Sequence, residues 1–279
     1  MIKNLIGGIA VGIANVIPGV SGGTMMVILG IFNRTMEAIS GVFKKENSHR
    51  KEDILFLFQV LVGAAIGLIG FAKILEFLFN DYPTQTMYWF IGLIALSIPL
   101  FLKGELKGEK INIVALILGL AVIFGLEFLN PGDKEVIVNP SFPAVNITLC
   151  AKMVLVGIIG GATMLMPGVS GSILLLILGE YYLFKSYLAN VTSFDLTVLI
   201  PLFFIGIGII IGIVLSAKVC DFFLKRWKAA FLSFILGLII ASSLVLIPFT
   251  ATYNLFIIVT SIIAFIIGGI IVLGLGKLQ

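Results

Sequence analysis

Apolar residues fill this chain in long unbroken stretches, and the polar positions come in short blocks between them. The continuous stretches fall at about 54–79, 87–102, 111–129, 196–219, 229–247 and 255–276. Each suits a helix crossing a hydrocarbon core of roughly 30 Å, with 87–102 on the short side. Two further apolar segments, 5–33 and 150–183, are interrupted midway by proline and clustered glycines, which break a helix. Of the 279 residues, 60% are hydrophobic and only 11% charged, where a soluble domain carries roughly a quarter charged residues. Such a chain cannot cover its surface against water, so the predicted class is an all-α polytopic membrane protein.

The two interrupted segments are copies of one another. Gly7–Phe32 reads GGIAVGIANVIPGVSGGTMMVILGIF and Gly157–Tyr181 reads GIIGGATMLMPGVSGSILLLILGEY. Aligned on Pro18 and Pro167, they share Gly8/Gly157, Gly12/Gly161, the Pro-Gly-Val-Ser-Gly core and a closing Leu-Gly. With a small gap the likeness continues. Gly63, Gly67, Ala72-Lys73 and Glu76-Phe77 match Gly208, Gly212, Ala217-Lys218 and Asp221-Phe222, and Phe90–Ser97 loosely matches Ile235–Ser242. Small residues four apart let helices pack closely in lipid. One such match is unremarkable, but the whole series in order is a duplication, with halves 1–145 and 146–279 of a single membrane domain. Met1–Pro18, with Lys3 ahead of an apolar run, has the outline of a signal peptide. Its recurrence in mid-chain argues for a structural segment instead.

Positive charge decides how the interrupted segments run. If both turn back as re-entrant hairpins, 14 of the 18 Lys and Arg fall on one side of the membrane and four on the other. If both span, the split is 10 against eight. Cytoplasmic loops collect Lys and Arg, which favours re-entrance, three continuous spans per half, inverted halves and both termini in the cytoplasm. Half-helices of about 11–12 residues would rise roughly 17 Å and bring both loops to the midplane, as in secondary transporters.

There the loops have a definite chemistry. Irregular backbone at membrane depth is tolerated only where it is buried in protein or lines a polar cavity. Ser21 and Ser170 stand where a serine caps the following half-helix. The N–H groups of Gly22, Gly23 and Thr24, and of Gly171, Ser172 and Ile173, would then face an anion without needing a basic side chain. The candidate phosphate-binding residues are Pro18, Gly19, Ser21, Gly22, Gly23 and Thr24 with Pro167, Gly168, Ser170, Gly171 and Ser172. A single Pro-Gly in a membrane helix is usually only a kink; two copies with added serines point to function.

Charged and polar residues in or beside the spans are secondary candidates for headgroup contact or proton coupling. Lys73/Glu76 and Lys218/Asp221 sit at matching positions and share a helix face, as snorkelling pairs or as a cationic gate. Glu180 follows the second loop and suits a proton carrier; Asn15 and Thr163 flank the loops. Glu127 reads as interfacial, Lys44–Asp53 as a solvated loop, and Trp89 and Trp227 as interfacial anchors. His49 is the lone histidine, which excludes a multi-His metal site and a His-based triad, and the two cysteines give no disulfide framework. The net charge of +4 reports orientation, not nucleic acid, and neither cofactor nor metal is called for.

At the loops the chain resembles the polyprenyl-phosphate (undecaprenyl-phosphate) translocases: IANVIPGVSGGT with ILGIFNR, and later MPGVSGS with LLILGEY. The resemblance runs over the whole chain. It implies a flippase in a prokaryotic plasma membrane that returns the undecaprenyl phosphate carrier of cell-wall precursors from the outer to the cytoplasmic leaflet. Its partners would be that lipid and the surrounding membrane, and the headgroup loops would be Pro18–Thr24 and Pro167–Ser172. Arg34 corresponds to an arginine common after the first loop, while Glu180–Lys185 departs from the usual pattern. With no nucleotide-binding P-loop, the proton gradient is the expected energy source. Two rivals share this architecture. An integral-membrane undecaprenyl-diphosphate phosphatase would carry Arg where Gly22 and Gly171 stand, and a small-anion transporter or channel would need a water-filled path.

Overall fold

A computed structural model describes residues 2–16, 21–42, 47–129, 142–249 and 251–276, and these are helical with no strand among them. In the first half run α1 (Ile2–Val16), α2 (Gly22–Ile28), α3 (Phe32–Val42), α4 (Arg50–Asp81), α5 (Pro83–Lys103) and α6 (Ile113–Leu129). In the second run α7 (Ile147–Leu165), α8 (Gly171–Ile177), α9 (Tyr181–Ala189), α10 (Leu196–Arg226), α11 (Lys228–Val245) and α12 (Leu255–Gly276).

The long spans end where the sequence makes them end. Asn146 and Asp195 cap α7 and α10, their side chains accepting from the N–H groups of Leu149 at 2.8 Å and Thr197 at 2.9 Å. The chain breaks between α4 and α5 at Tyr82 (φ −135°, ψ 50°) and between α10 and α11 at Trp227 (φ −139°, ψ 53°). The same break is thus made once with a following proline, Pro83 at the start of α5, and once without.

Glycine decides how the spans pack. α1 lies along α4 so closely that a Cβ on Gly12 would stand 2.0 Å from the Ala64 carbonyl oxygen, and one on Gly63 2.3 Å from that of Leu5. α7 lies along α10 in the same register, with Gly161 facing Ile209 and Gly208 facing Val154. α12 packs on α5 through Gly268 against Trp89, and α6 on α11 through Gly119 against Phe234. The contact series therefore recurs. Inside, α2 is wholly buried, packed against α1, α5 and α7, in a core where Phe90, Ile94, Leu232, Ile235 and Ile239 are almost sealed. Outside, α4, α6 and α12 present large aliphatic side chains such as Ile69, Val114 and Ile262, as surfaces solvated by lipid do.

Among the described residues six helices are long and apolar enough to cross a membrane: Arg50–Phe71, Pro83–Lys103, Ile147–Leu165, Leu196–Arg226, Lys228–Val245 and Leu255–Gly274. The six continuous apolar stretches hold α4, α5, α6, α10, α11 and α12, but the half-helices are not the 11–12 residues expected. α7 has 19 residues and is long enough to span, and α2 and α8 have seven each. The cause is the Leu-Gly pair. Gly30 (φ 65°) and Gly179 (φ 75°) take the left-handed conformation. Ile31 and Glu180 then donate back to Met26 and Leu175 at 2.9 and 2.8 Å, closing Schellman caps that stop α2 and α8 early. Beyond the first cap the axis turns by 117° into α3.

Candidate functional site

Met166 ends α7, and Met166–Val169 form a turn with Pro167 second and Gly168 third. Proline supplies the fixed φ of the second position, and Gly168, at φ 74°, the positive φ that a type II turn needs at the third. The first copy of this turn, Pro18 and Gly19, lies outside the described residues. Ser21 opens α2. Its Oγ accepts from the Gly23 N–H at 3.1 Å and donates to the Met166 carbonyl at 2.7 Å. In return the Gly168 N–H donates to Thr24 Oγ1 at 2.7 Å. The two Pro-Gly-Val-Ser-Gly loops are thus hydrogen-bonded to each other at the centre of the molecule. Ser21 and Thr24 are buried, as polar groups in such a core must be when paired.

The two helix starts differ in how much space they face. A Cβ on Gly23 would stand 2.4 Å from the Leu165 carbonyl oxygen, so the start of α2, with Gly22 and Gly23, is filled by protein. The open space lies on the other copy's side. A cavity of about 420 Å³ is lined by Ser21, Thr163, Ser170, Gly171, Ser172 and Tyr181, with Val156, Phe184, Ile205 and Ile209 as its apolar wall. Ser170 does not cap α8; its hydroxyl pairs with that of Ser172 at 2.8 Å. The lining offers hydroxyls and the backbone of a helix start, and no charged side chain among the described residues.

The remaining candidates sit elsewhere. Glu180, next to Tyr181, pairs with Lys152 of α7 at 2.6 Å. Arg34 is held on α3 by Asp53 at 2.6 Å and lies over the Phe56 ring at 5.1 Å, away from the cavity. Asp53, taken above as part of a solvated loop, is buried as the partner of that arginine. Lys218 and Asp221 line an open cleft of about 550 Å³ at the end of α10, together with Ser40, Phe222, Lys225 and Arg226. The side chains of Asn15, Lys73 and Glu76 lie outside the described residues. Met166, Tyr181 and Lys152 escaped the sequence reading. Only Lys152 had left a signal, since it occupies the repeat position of Lys3.

Chains similar to this one carry transporter names and not enzyme names. It is 29% identical over 226 residues to a polyprenyl-phosphate transporter of Staphylococcus aureus, covering 80% of this chain and 78% of that one. It is 28% identical over 188 residues to a polyprenyl-phosphate transporter of Vibrio cholerae, covering 67% of this chain and 55% of that one. No solved structure matches. The undecaprenyl phosphate translocase-like family matches residues 11–263, and the chain belongs to that family.

Proposed function

We propose that this protein is a flippase that returns undecaprenyl phosphate, or a related polyprenyl phosphate, from the outer to the cytoplasmic leaflet of a prokaryotic plasma membrane. The observation that carries the reading is the cavity beside the Ser21–Met166 junction. It combines hydroxyl donors with an apolar wall and has no fixed charge in its lining among the described residues. The polyprenyl tail stays in lipid while only the phosphate enters, held by Ser170, Ser172, Thr163 and the start of α8. Hydroxyl and N–H donors replace the water that the phosphate loses. With no lysine or arginine among those lining residues the hold is moderate, which suits a site that must also release its cargo. The names of the relatives supply the substrate class.

The architecture behind this reading is two inverted halves, 1–145 and 146–279, each with a re-entrant loop, and both termini in the cytoplasm. The recurring glycine contacts support the duplication, and the positive-inside bias supports the inversion. Proton coupling fits a phosphomonoester, whose second ionisation falls near pH ~6, so that a proton can travel on the headgroup itself or on Glu180. Diphosphate cleavage would need a cation against the phosphoryl oxygens, and no cationic side chain lines the cavity among the described residues.

The test is leaflet exchange in liposomes. A fluorescent polyprenyl phosphate is followed by its exposure to a membrane-impermeant phosphatase, with polyprenyl diphosphate assayed in parallel for released phosphate. Exchange well above protein-free vesicles, with no phosphate release, is the expected result. No exchange under a proton gradient of either sign, together with phosphate release, would hand the protein to the enzyme class.

A further inference from the structure

The cleft at the end of α10 is the strongest unexplained charged feature of the molecule. Lys218, Lys225 and Arg226 line it with one carboxylate, Asp221, and Ser40 of α3 closes one side. Asp221 is 5% exposed and is held by the Ser40 hydroxyl at 3.1 Å and by Lys225 at 2.7 Å. The cleft thus keeps a surplus of positive charge around a carboxylate that is already fixed in place.

Its counterpart at the end of α4 has the opposite balance. On the register that aligns Gly63 with Gly208, Lys218 and Asp221 correspond to Lys73 and Glu76, but Lys225 and Arg226 correspond to Asn80 and Asp81. One end of the duplicated path therefore carries three cations and one carboxylate, and the other carries one cation and two carboxylates. Structural need does not explain the difference, because the backbone breaks that follow, at Tyr82 and Trp227, are alike.

We propose that this cleft binds a phosphomonoester headgroup on the cytoplasmic face, as a station separate from the central cavity and open only at that end. The assignment of that face, and of a lipid as bearer of the phosphate, rests on the flippase reading above. A phosphate dianion takes Lys225 and Arg226 as partners, Arg226 through its planar fork. Lys225 must then leave Asp221, which stays in place through Ser40. Asp221 therefore competes with the ligand and limits its affinity, as a hand-off site requires. The station sets how long the headgroup waits at the cytoplasmic face and leaves the equilibrium between leaflets unchanged.

Trp227, beside Arg226 and with its ring 5.9 Å from that of Phe222, is a built-in reporter. The Trp89→Phe protein in phosphatidylcholine nanodiscs leaves Trp227 as the remaining tryptophan. It is titrated with farnesyl phosphate, farnesol and inorganic phosphate. Farnesyl phosphate is expected to give a saturable fluorescence change that farnesol does not. Its affinity should fall by about tenfold or more in Lys225→Gln/Arg226→Gln and rise in Asp221→Asn. Unchanged affinity in Lys225→Gln/Arg226→Gln overturns the proposal. Inorganic phosphate binding as tightly as farnesyl phosphate also overturns it, by assigning the cleft to the free ion. Intact binding here without leaflet exchange in liposomes would leave the cleft standing and sink the flippase reading instead.

Discussion

Ser21 Oγ and the carbonyl oxygen of Met166 are 2.7 Å apart, joining two loops separated by 145 residues of chain. The same hydroxyl caps α2, so one small side chain both starts a helix and ties the two copies of a motif together. The nearby bond from Gly168 to Thr24 runs in the opposite direction and closes the junction. Ser170, the sequence counterpart of Ser21, has neither task.

Ser21→Ala should therefore destabilise the protein far more than Ser170→Ala. Losing the cap costs about 0.5–2 kcal/mol, and losing the bond to the Met166 carbonyl adds about 0.5–1.5 kcal/mol. Ser170→Ala should lower stability only slightly while slowing lipid exchange. Thermal unfolding of the solubilised variants measures the first difference and liposome exchange the second; equal unfolding midpoints would refute the distinction.

The glycine seams make a position-specific forecast. Gly12→Ala and Gly161→Ala put a methyl 2.0 and 2.3 Å from backbone oxygens of the facing helix. Each should cost about 1–3 kcal/mol as the helices are forced apart. Gly70→Ala and Gly206→Ala meet nothing within 4 Å and should be neutral or stabilising by up to about 1 kcal/mol, since alanine is the better helix former. Unfolding midpoints for the four variants decide the matter.

Glu180 keeps 16% of its side-chain surface exposed, against 49% for Lys152. Lys152→Gln should therefore harm the protein by leaving the carboxylate short of its cation. Solvent at the lysine limits the loss to about 1 kcal/mol. The double variant Lys152→Gln/Glu180→Gln should recover most of it. If Glu180 carries the coupled proton, Glu180→Gln flattens the pH profile of exchange even where stability is restored. A double-mutant cycle read in both assays separates the two roles.

Glu105, in the loop between α5 and α6, accepts from Asn33 of α3. Burial raises its pKa, outweighing the opposing pull of Lys228 and of the Asn33 hydrogen bond. A carboxyl with a raised folded-state pKa binds its proton more tightly folded than unfolded. Its contribution is present below the unfolded value and is lost as pH rises through the folded one. Against Glu105→Gln, the wild-type unfolding midpoint should fall as pH rises above the ordinary carboxylate range and then level off. A constant gap as pH rises would contradict the assignment.

What could be read in advance was what is local or periodic. The glycine spacings at Gly8/Gly12 and Gly63/Gly67 announced close helix seams, and those seams formed in both halves. The Ser21 cap was legible from the loop alone. The Ser170 cap misled because the second copy has Ser172 where the first has Gly23, and the extra hydroxyl captures Ser170. The first copy cannot carry a side chain there, since the Leu165 carbonyl fills the space. Helix lengths were misjudged because Leu29-Gly30 and Leu178-Gly179 were read as matched sequence rather than as Schellman stops. The packing of α12 on α5 and of α6 on α11, and the burial of Asp53 by Arg34, depend on tertiary contacts that leave no local pattern.

On the proposed function a lipid phosphate passes beside the Ser21–Met166 junction. Photocrosslinking in liposomes with a polyprenyl phosphate bearing a diazirine next to the phosphate, followed by peptide mapping, tests this passage. Adducts are expected on the cavity lining between Thr163 and Ser172, lost to competition with unlabelled polyprenyl phosphate and not with polyprenol. Adducts confined to the lipid-facing surfaces of α6 and α12, unaffected by the competitor, would contradict it.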